Sequence, residues 1–224
     1  AIQEELGDKT GMGNSLGNIG IVHMNKGDYD RALDYYGRTN AIKEELGDKT
    51  GMGTSWANIG LVHNTRGDYD KALDYYARSL TIQEELGDKR AMAIILSNIG
   101  IAHANRGDSG KALEHLEKSL TIQKEIGLGA NYLIWVTLYL YLTYKQLAKD
   151  YDINEIHSLI KEASNIQFGL NLGLYQLLEE ESYLENAYNQ LQEKASSMEK
   201  ELAEKFLSYP IPKAIAEEWE KLNN

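Results

Sequence analysis

Hydrophobic positions recur with a helical period in the first half of the chain. Met12, Leu16, Ile19 and His23 are spaced by four, three and four residues, which places them on one face of an α-helix. A second stripe of the same period runs over residues 32–46. The pattern therefore predicts two amphipathic helices that pack against each other as a hairpin.

This hairpin repeats every 40 residues. Residues 1–40 align with residues 41–80 without gaps and with 28 identities, and residues 81–120 follow in the same register. Each unit carries an Asn-Ile-Gly string, a histidine, a Gly-Asp pair and an Ala-Leu pair. Glycine can adopt the left-handed conformation that ends a helix, and aspartate can cap the next one, so Gly27-Asp28 and Gly47-Asp48 predict turns within and between units.

The repeat resembles the tetratricopeptide repeat in a 40-residue variant with a longer second helix, similar to the repeats of kinesin light chains and Pins-type adaptors. The resemblance implies an all-α, right-handed solenoid of helix-turn-helix hairpins with a C-terminal capping helix. A histidine stands where the family usually has tyrosine, and Glu84 stands where the shorter repeat has proline. The residues of the second unit that match the family are Trp56, Ile59, Gly60, His63, Gly67, Tyr69, Ala72 and Tyr76.

The chain is predicted to have three parts. Residues 1–126 hold three regular units that start in mid-repeat, residues 127–208 hold two degenerate hairpins, and residues 209–224 form a capping helix, with an internal ligand lying in the groove as the alternative. Single helices are expected over Ile153–Gln167 and Leu184–Lys205.

The chain begins inside a repeat. Ala1–Leu6 matches Ala41–Leu46, which is the tail of a second helix. We therefore expect a piece of a longer repeat protein, with an N-terminal repeat face that lacks a polar cap and could stack on another molecule.

Composition excludes several function classes. A net charge of −11 and a pI near 5.0 disfavour general nucleic-acid binding, because phosphate repels an acidic surface. The chain has no cysteine, so it forms no disulfide or thiolate metal site. No signal peptide is visible, and the apolar stretch Tyr132–Tyr144 is too short to span a bilayer, so we expect no membrane partner and a cytoplasmic location.

No pattern predicts catalysis, a cofactor or a metal. The Gly-x-Gly string at Gly11 and Gly13 becomes alanine in the third unit, which suits helix packing and not a phosphate loop. His23, His63 and His103 lie on packing stripes of separate units, too far apart to share one zinc ion. We therefore expect a non-enzyme.

Three asparagines are the strongest binding candidates. Asn18, Asn58 and Asn98 lie beside the packing stripe, and the resemblance implies that their slot faces the concave groove. An amide side chain offers both a donor and an acceptor to an extended peptide backbone. The alternative is that these asparagines only bridge neighbouring helices. The other expected members of the site are an apolar floor of Ile21, Leu61 and Ile101, a polar edge of Asn25, Thr65 and Asn105, and Trp135 and Tyr139, which depend on Tyr144 taking the slot of His103.

The expected function is a non-catalytic scaffold that binds an extended peptide segment of a partner protein in this groove. No basic cluster lies in the groove slots, so the chain lacks the family's clamp for a C-terminal carboxylate. Two alternatives stay open. One is a structural segment that self-associates through its N-terminal repeat face, and the other is the regulatory sensor segment of a larger signalling protein.

Overall fold

The computed structural model describes residues 8–164 and 166–223. Every regular element in these ranges is a helix. The helices are α1 (Lys9–Asn25), α2 (Tyr29–Glu45), α3 (Lys49–Arg66), α4 (Tyr69–Leu86), α5 (Lys89–Arg106), α6 (Ser109–Glu125), α7 (Ala130–Gln146), α8 (Ile153–Glu162), α9 (Phe168–Leu178), α10 (Glu181–Ser196), α11 (Lys200–Leu207) and α12 (Pro210–Asn223). The predicted all-α class is confirmed. The helix tail predicted at Ala1–Leu6 lies outside the described residues.

Two compact units divide the chain, an N-terminal unit of residues 1–91 and a C-terminal unit of residues 92–224. In the N-terminal unit, α1 packs against α2, α3 packs against α4, and α2 also packs against α3. In the C-terminal unit, α7 packs against α6, α8 and α9, while α10 packs against α9, and α12 packs against α9, α10 and α11. The three-part division drawn from repeat similarity stays a prediction.

Glycines in the left-handed conformation form the predicted turns. Gly27 has a φ of 74° and Gly47 has a φ of 63°, and the other repeats follow the same pattern. The N–H of Asp28 closes the first turn by donating to the carbonyl of His23 at 2.9 Å. The carboxylates of Asp8, Asp48 and Asp88 accept a hydrogen bond from a backbone N–H of the helix that follows. The Gly-Asp turns are therefore confirmed.

A second kind of glycine allows close packing within each hairpin. A Cβ added to Gly60 would lie 2.7 Å from two carbons of the Tyr76 ring, which is fully buried. A Cβ added to Gly20 would come equally close to the Tyr36 ring, and one added to Gly100 would come equally close to the Leu116 side chain. The glycine of the Asn-Ile-Gly string is therefore required by the large residue that faces it.

Two helices of the C-terminal unit are shorter than predicted. The helix expected to reach Gln167 ends at Glu162, because Ala163 is extended and the N–H of Ser164 donates to the side chain of Asn131 at 3.0 Å. The helix expected to reach Lys205 is broken after Ser196 into α10 and α11. At this break the hydroxyls of Ser196 and Ser197 donate to backbone carbonyls of the preceding turn.

Candidate functional site

The first helix of each hairpin presents a stripe of residues that starts near its N-terminus and that, in the N-terminal unit, is mostly open to solvent. Its members are spaced by four, four, three and four residues, which keeps them on one side of the helix. We call this set the A-helix stripe. On α1 it comprises Thr10, Asn14, Asn18, Ile21 and Asn25, and on α3 it comprises Thr50, Thr54, Asn58, Leu61 and Thr65.

The candidate asparagines have no hydrogen-bond partner among the described residues. Asn18 is exposed, and Asn58 and Asn98 are half-buried. None of the three amides forms a hydrogen bond with any residue in the described ranges, whereas the neighbouring Asn14 accepts one from Lys43 at 2.7 Å. No hydrogen bond between described residues therefore supports the alternative that these asparagines bridge neighbouring helices.

The apolar members of the stripe differ between the units. Ile21 is 45% exposed and Leu61 is 38% exposed, so the N-terminal unit offers an open apolar surface beside its asparagines. Ile101 is only 9% exposed, and it belongs to the buried core of the C-terminal unit. Ile101 therefore contributes little of the floor that the sequence predicted for it.

The three residues of the expected polar edge are all at least partly open to solvent. Asn25 is exposed, whereas Thr65 and Asn105 are half-buried. The hydroxyl of Thr65 donates to the carbonyl of Leu61 at 2.9 Å, so its oxygen keeps acceptor capacity only. The two asparagines form no hydrogen bond with a described residue, so their amides keep both functions.

The backbone fixes the register of α7. The N–H of Lys149 donates to the carbonyl of Tyr144 at 2.9 Å, as the N–H of Asp108 does to His103. Ala148 has a φ of 51° and takes the place of the turn glycine. Tyr144 therefore occupies the histidine slot, as expected, although the turn lies one residue before the Lys149-Asp150-Tyr151 echo seen in the sequence.

This register puts Trp135 and Tyr139 on the A-helix stripe of α7. Tyr139 takes the slot that Asn98 has on α5, and both aromatic side chains are half-buried. A Cβ on Gly169 of α9 would lie 3.9 Å from Trp135 and 3.7 Å from Ile211 of α12. In the C-terminal unit, the Trp135 indole and the N-terminal end of α12 therefore both lie next to Gly169 of α9.

Comparison with known proteins identifies this hairpin. The family model described as Tetratricopeptide repeat matches residues 11–85 and again residues 51–125, which together cover just over half of the chain. The chain belongs to the tetratricopeptide repeat family. Tetratricopeptide repeats mediate protein–protein interactions, and the scaffolds built from them are generally non-catalytic.

Solved structures share the fold at low sequence identity. The apo form of RapI aligns with a TM-score of 0.69 at 15% identity, over 98% of this chain and 67% of that chain. A putative kinesin light chain of Podosopora anserina with nearly identical TPR-like repeats aligns with a TM-score of 0.53 at 14% identity, over 92% of this chain and 95% of that chain. No curated protein sequence matches the chain.

A hydropathy comparison of the helices adds one finding about membranes. None of the helices in the described ranges is both long enough and apolar enough to cross a bilayer.

The histidine of each tetratricopeptide repeat lies between an aspartate and a ring. His63 Nδ1 lies 3.2 Å from a carboxylate oxygen of Asp68, and its ring stacks on Tyr75 with centroids 5.6 Å apart. His23 and His103 repeat this arrangement. The carboxylate of Asp68 faces the histidine and makes no capping hydrogen bond, which the Gly-Asp motif alone did not predict.

In the third repeat, the surroundings of His103 lower the pKa of its imidazole. Burial lowers the pKa of His103, and the nearby Arg106 and His115 lower it further, against the hydrogen bond to Asp108. The neutral imidazole is therefore favoured at this position.

Lys43 contacts the stripe at Asn14, and the sequence analysis did not single it out. Lys43 of α2 is 6% exposed, and its ammonium donates to Asn14 and lies 2.9 Å from Asp48. The N–H of Gly51 and the Lys43 ammonium hold the pKa of the Asp48 carboxyl below its usual range. Gln83 and Gln123 occupy the matching positions, so the Lys/Gln/Gln series at the end of the second helix was the available signal.

Proposed function

We propose that the A-helix stripes bind an extended segment of a partner protein. One observation carries this proposal: Asn18, Asn58 and Asn98 present amides that no described residue uses, in the same slot of three successive repeats. Each amide can accept from a peptide N–H and donate to a peptide carbonyl without reading the partner's side chains. The residues around the amides then determine which partner sequences bind.

The surroundings of the amides fit such a ligand. In the N-terminal unit, Ile21 and Leu61 lie one helical turn beyond Asn18 and Asn58 and stay open to solvent. An extended chain alternates its side chains, so one set can contact these residues while its backbone contacts the amides. In the C-terminal unit, Trp135 and Tyr139 supply aromatic surface along α7.

The test uses selected peptides and a matched control. Random linear peptides are selected by display on the whole chain, and the dissociation constants of enriched peptides are measured by isothermal titration calorimetry. A variant with Asn18→Ala, Asn58→Ala and Asn98→Ala is compared with a control that carries Asn186→Ala and Asn189→Ala, two exposed asparagines on α10.

We expect the triple variant to bind about a hundred-fold more weakly, since each of the three lost amides contributes about 1 kcal/mol, while the control binds as wild type. Circular dichroism should be unchanged in both variants. Equal affinity of the triple variant and wild type would exclude the asparagines from the site.

A second candidate function, association through the N-terminal repeat face, is supported by a separate observation. Ile19 and Val22 of α1 are 39% and 49% exposed, whereas the matching Ile59 and Val62 of α3 are 7% and 0% exposed. In the N-terminal unit, α3 packs against α2 of the preceding hairpin, whereas no described helix precedes α1. The exposed pair on α1 therefore matches a surface that takes the second helix of another hairpin.

Sedimentation equilibrium tests this candidate. Association that grows with concentration for wild type and disappears on changing Ile19 and Val22 to serine would support it. A monomer at every concentration would remove it. The serine variants leave Asn18 and Ile21 in place, so they do not affect the test of peptide binding.

A further inference from the structure

A further property of the stripe in the N-terminal unit is its lack of charge. Between its first and last positions, neither α1 nor α3 places an Asp, Glu, Lys or Arg on the stripe. Its members are threonine, asparagine, isoleucine and leucine. A surface of this kind is unusual on a chain with a net charge of −11.

Four cations close to the stripe in sequence or by contact are each paired with a carboxylate. Lys49, at the start of α3, lies 2.6 Å from Glu85, and the buried Lys43 lies 2.9 Å from Asp48. Arg66, the last residue of α3, donates to Asp30 at 3.0 Å. Lys9, at the start of α1, pairs with Glu45. Lys26, next to Asn25 at the end of α1, is exposed and forms no ion pair with a described residue, so that end of the stripe borders an unpaired cation.

The second helices of the unit carry further exposed charges, which are paired along the helix. Asp34 and Arg38 of α2, and Asp74 and Arg78 of α4, are exposed members of ion pairs between one helical turn and the next. Exposed charges more than about 8 Å away are largely screened at physiological ionic strength. Charges on the second helices therefore act weakly on any part of the stripe that lies beyond this distance.

We infer that the stripe of the N-terminal unit selects extended partner segments without charged side chains. This inference rests on the proposed function and names its partner. A lysine or glutamate side chain that docks on the stripe near Asn18 or Asn58, away from Lys26, loses water and gains no opposite charge, which disfavours it. Serine, threonine, asparagine and glutamine side chains can exchange hydrogen bonds with the amides, and aliphatic side chains can cover Ile21 and Leu61.

The alternative partner is a basic segment drawn by the overall negative charge. That partner needs an acidic surface at the point of contact, as well as a negative total. The stripe provides none, so its affinity should depend little on salt.

The experiment separates this inference from the proposed function. A library of random twelve-residue peptides is selected on the whole chain and, in parallel, on a variant with Asn18→Ala and Asn58→Ala. Peptides enriched on wild type and lost on the variant report on this stripe. We expect Asp, Glu, Lys and Arg to be at least three-fold depleted in them relative to the starting library.

Three further outcomes are each decisive. Peptides that depend on the asparagines but are rich in lysine and arginine would overturn the inference and leave the proposed function standing. The absence of any asparagine-dependent peptide would overturn both. A dissociation constant that rises more than ten-fold between 50 and 500 mM NaCl would also overturn the inference, since we expect a change of less than two-fold.

A substituted peptide gives the last test. Replacing a central neutral residue of an enriched peptide with lysine or glutamate should weaken binding at least ten-fold. Replacement with glutamine is the control, and it should retain most of the affinity. A lysine variant that binds as well as the parent peptide would contradict the inference.

Discussion

Two glycines of α1 allow helix propensity to be separated from packing. A Cβ on Gly17 would lie 3.6 Å from Thr39 Cγ2, which is an ordinary contact. A Cβ on Gly20 would lie 2.6 and 2.8 Å from two ring carbons of Tyr36, which is far inside the contact distance. Tyr36 is 3% exposed, so its ring has little room to move. We therefore expect Gly17→Ala to stabilise the chain and Gly20→Ala to destabilise it relative to Gly17→Ala.

The size of the difference follows from two opposing terms. Replacing a helical glycine with alanine gains about 1 kcal/mol of helix propensity, and Gly17→Ala should show most of it. Gly20→Ala gains the same amount but forces the Tyr36 ring to shift, and overpacking of this kind costs about 1–3 kcal/mol. The propensity gain cancels when the two variants are compared, so they should differ by about 1–3 kcal/mol.

Urea unfolding followed by circular dichroism measures this difference. Because an end repeat can open before the rest, hydrogen exchange of the α1 amides should be recorded as well. Gly60→Ala repeats the test in the second hairpin, where the Cβ would lie 2.7 Å from the Tyr76 ring. If Gly20→Ala proves as stable as Gly17→Ala, the close approach of the ring is not a packing requirement, and the reason given for the repeated glycine is wrong.

Three further predictions concern stability. Ala148→Gly should stabilise the chain by about 1 kcal/mol in urea unfolding, because its φ of 51° is costly for any residue with a side chain. Lys43→Gln should destabilise it by about 1 kcal/mol at pH 7, with a smaller difference near pH 3, since the lowered pKa of Asp48 contributes stability that is lost as pH falls. The lowered pKa of His103 should likewise cost stability as pH falls below about 6.5, and His103→Gln should flatten the unfolding profile between pH 7 and pH 5.

The hairpins and their turns could be predicted because each rests on a local pattern. A glycine followed by aspartate needs only its own backbone to form a turn, and the observed φ of Gly27 and Gly47 bears this out. The helical period then decides which side chains are buried. Repetition of the pattern over three units made both signals unambiguous.

The details that failed depend on contacts from distant residues. The end of α8 at Glu162 is held by Asn131, which is more than thirty residues away in sequence. The hydrogen bond from the Lys43 ammonium to the Asn14 side chain depends on how closely α1 and α2 pack. Such contacts leave no periodic signal, so the stripe could be predicted from the sequence but its ionic surroundings could not.

The segregation of charge between the two helices of each N-terminal hairpin has a consequence for how such a protein can change. The second helices carry the ionic groups that favour solubility, and the first helices carry the candidate contact residues. On the proposed function, substitutions at Asn18 or Ile21 should therefore alter recognition while leaving colloidal behaviour and the hairpin fold nearly untouched. Specificity in this unit is free to evolve, or to be engineered, one position at a time.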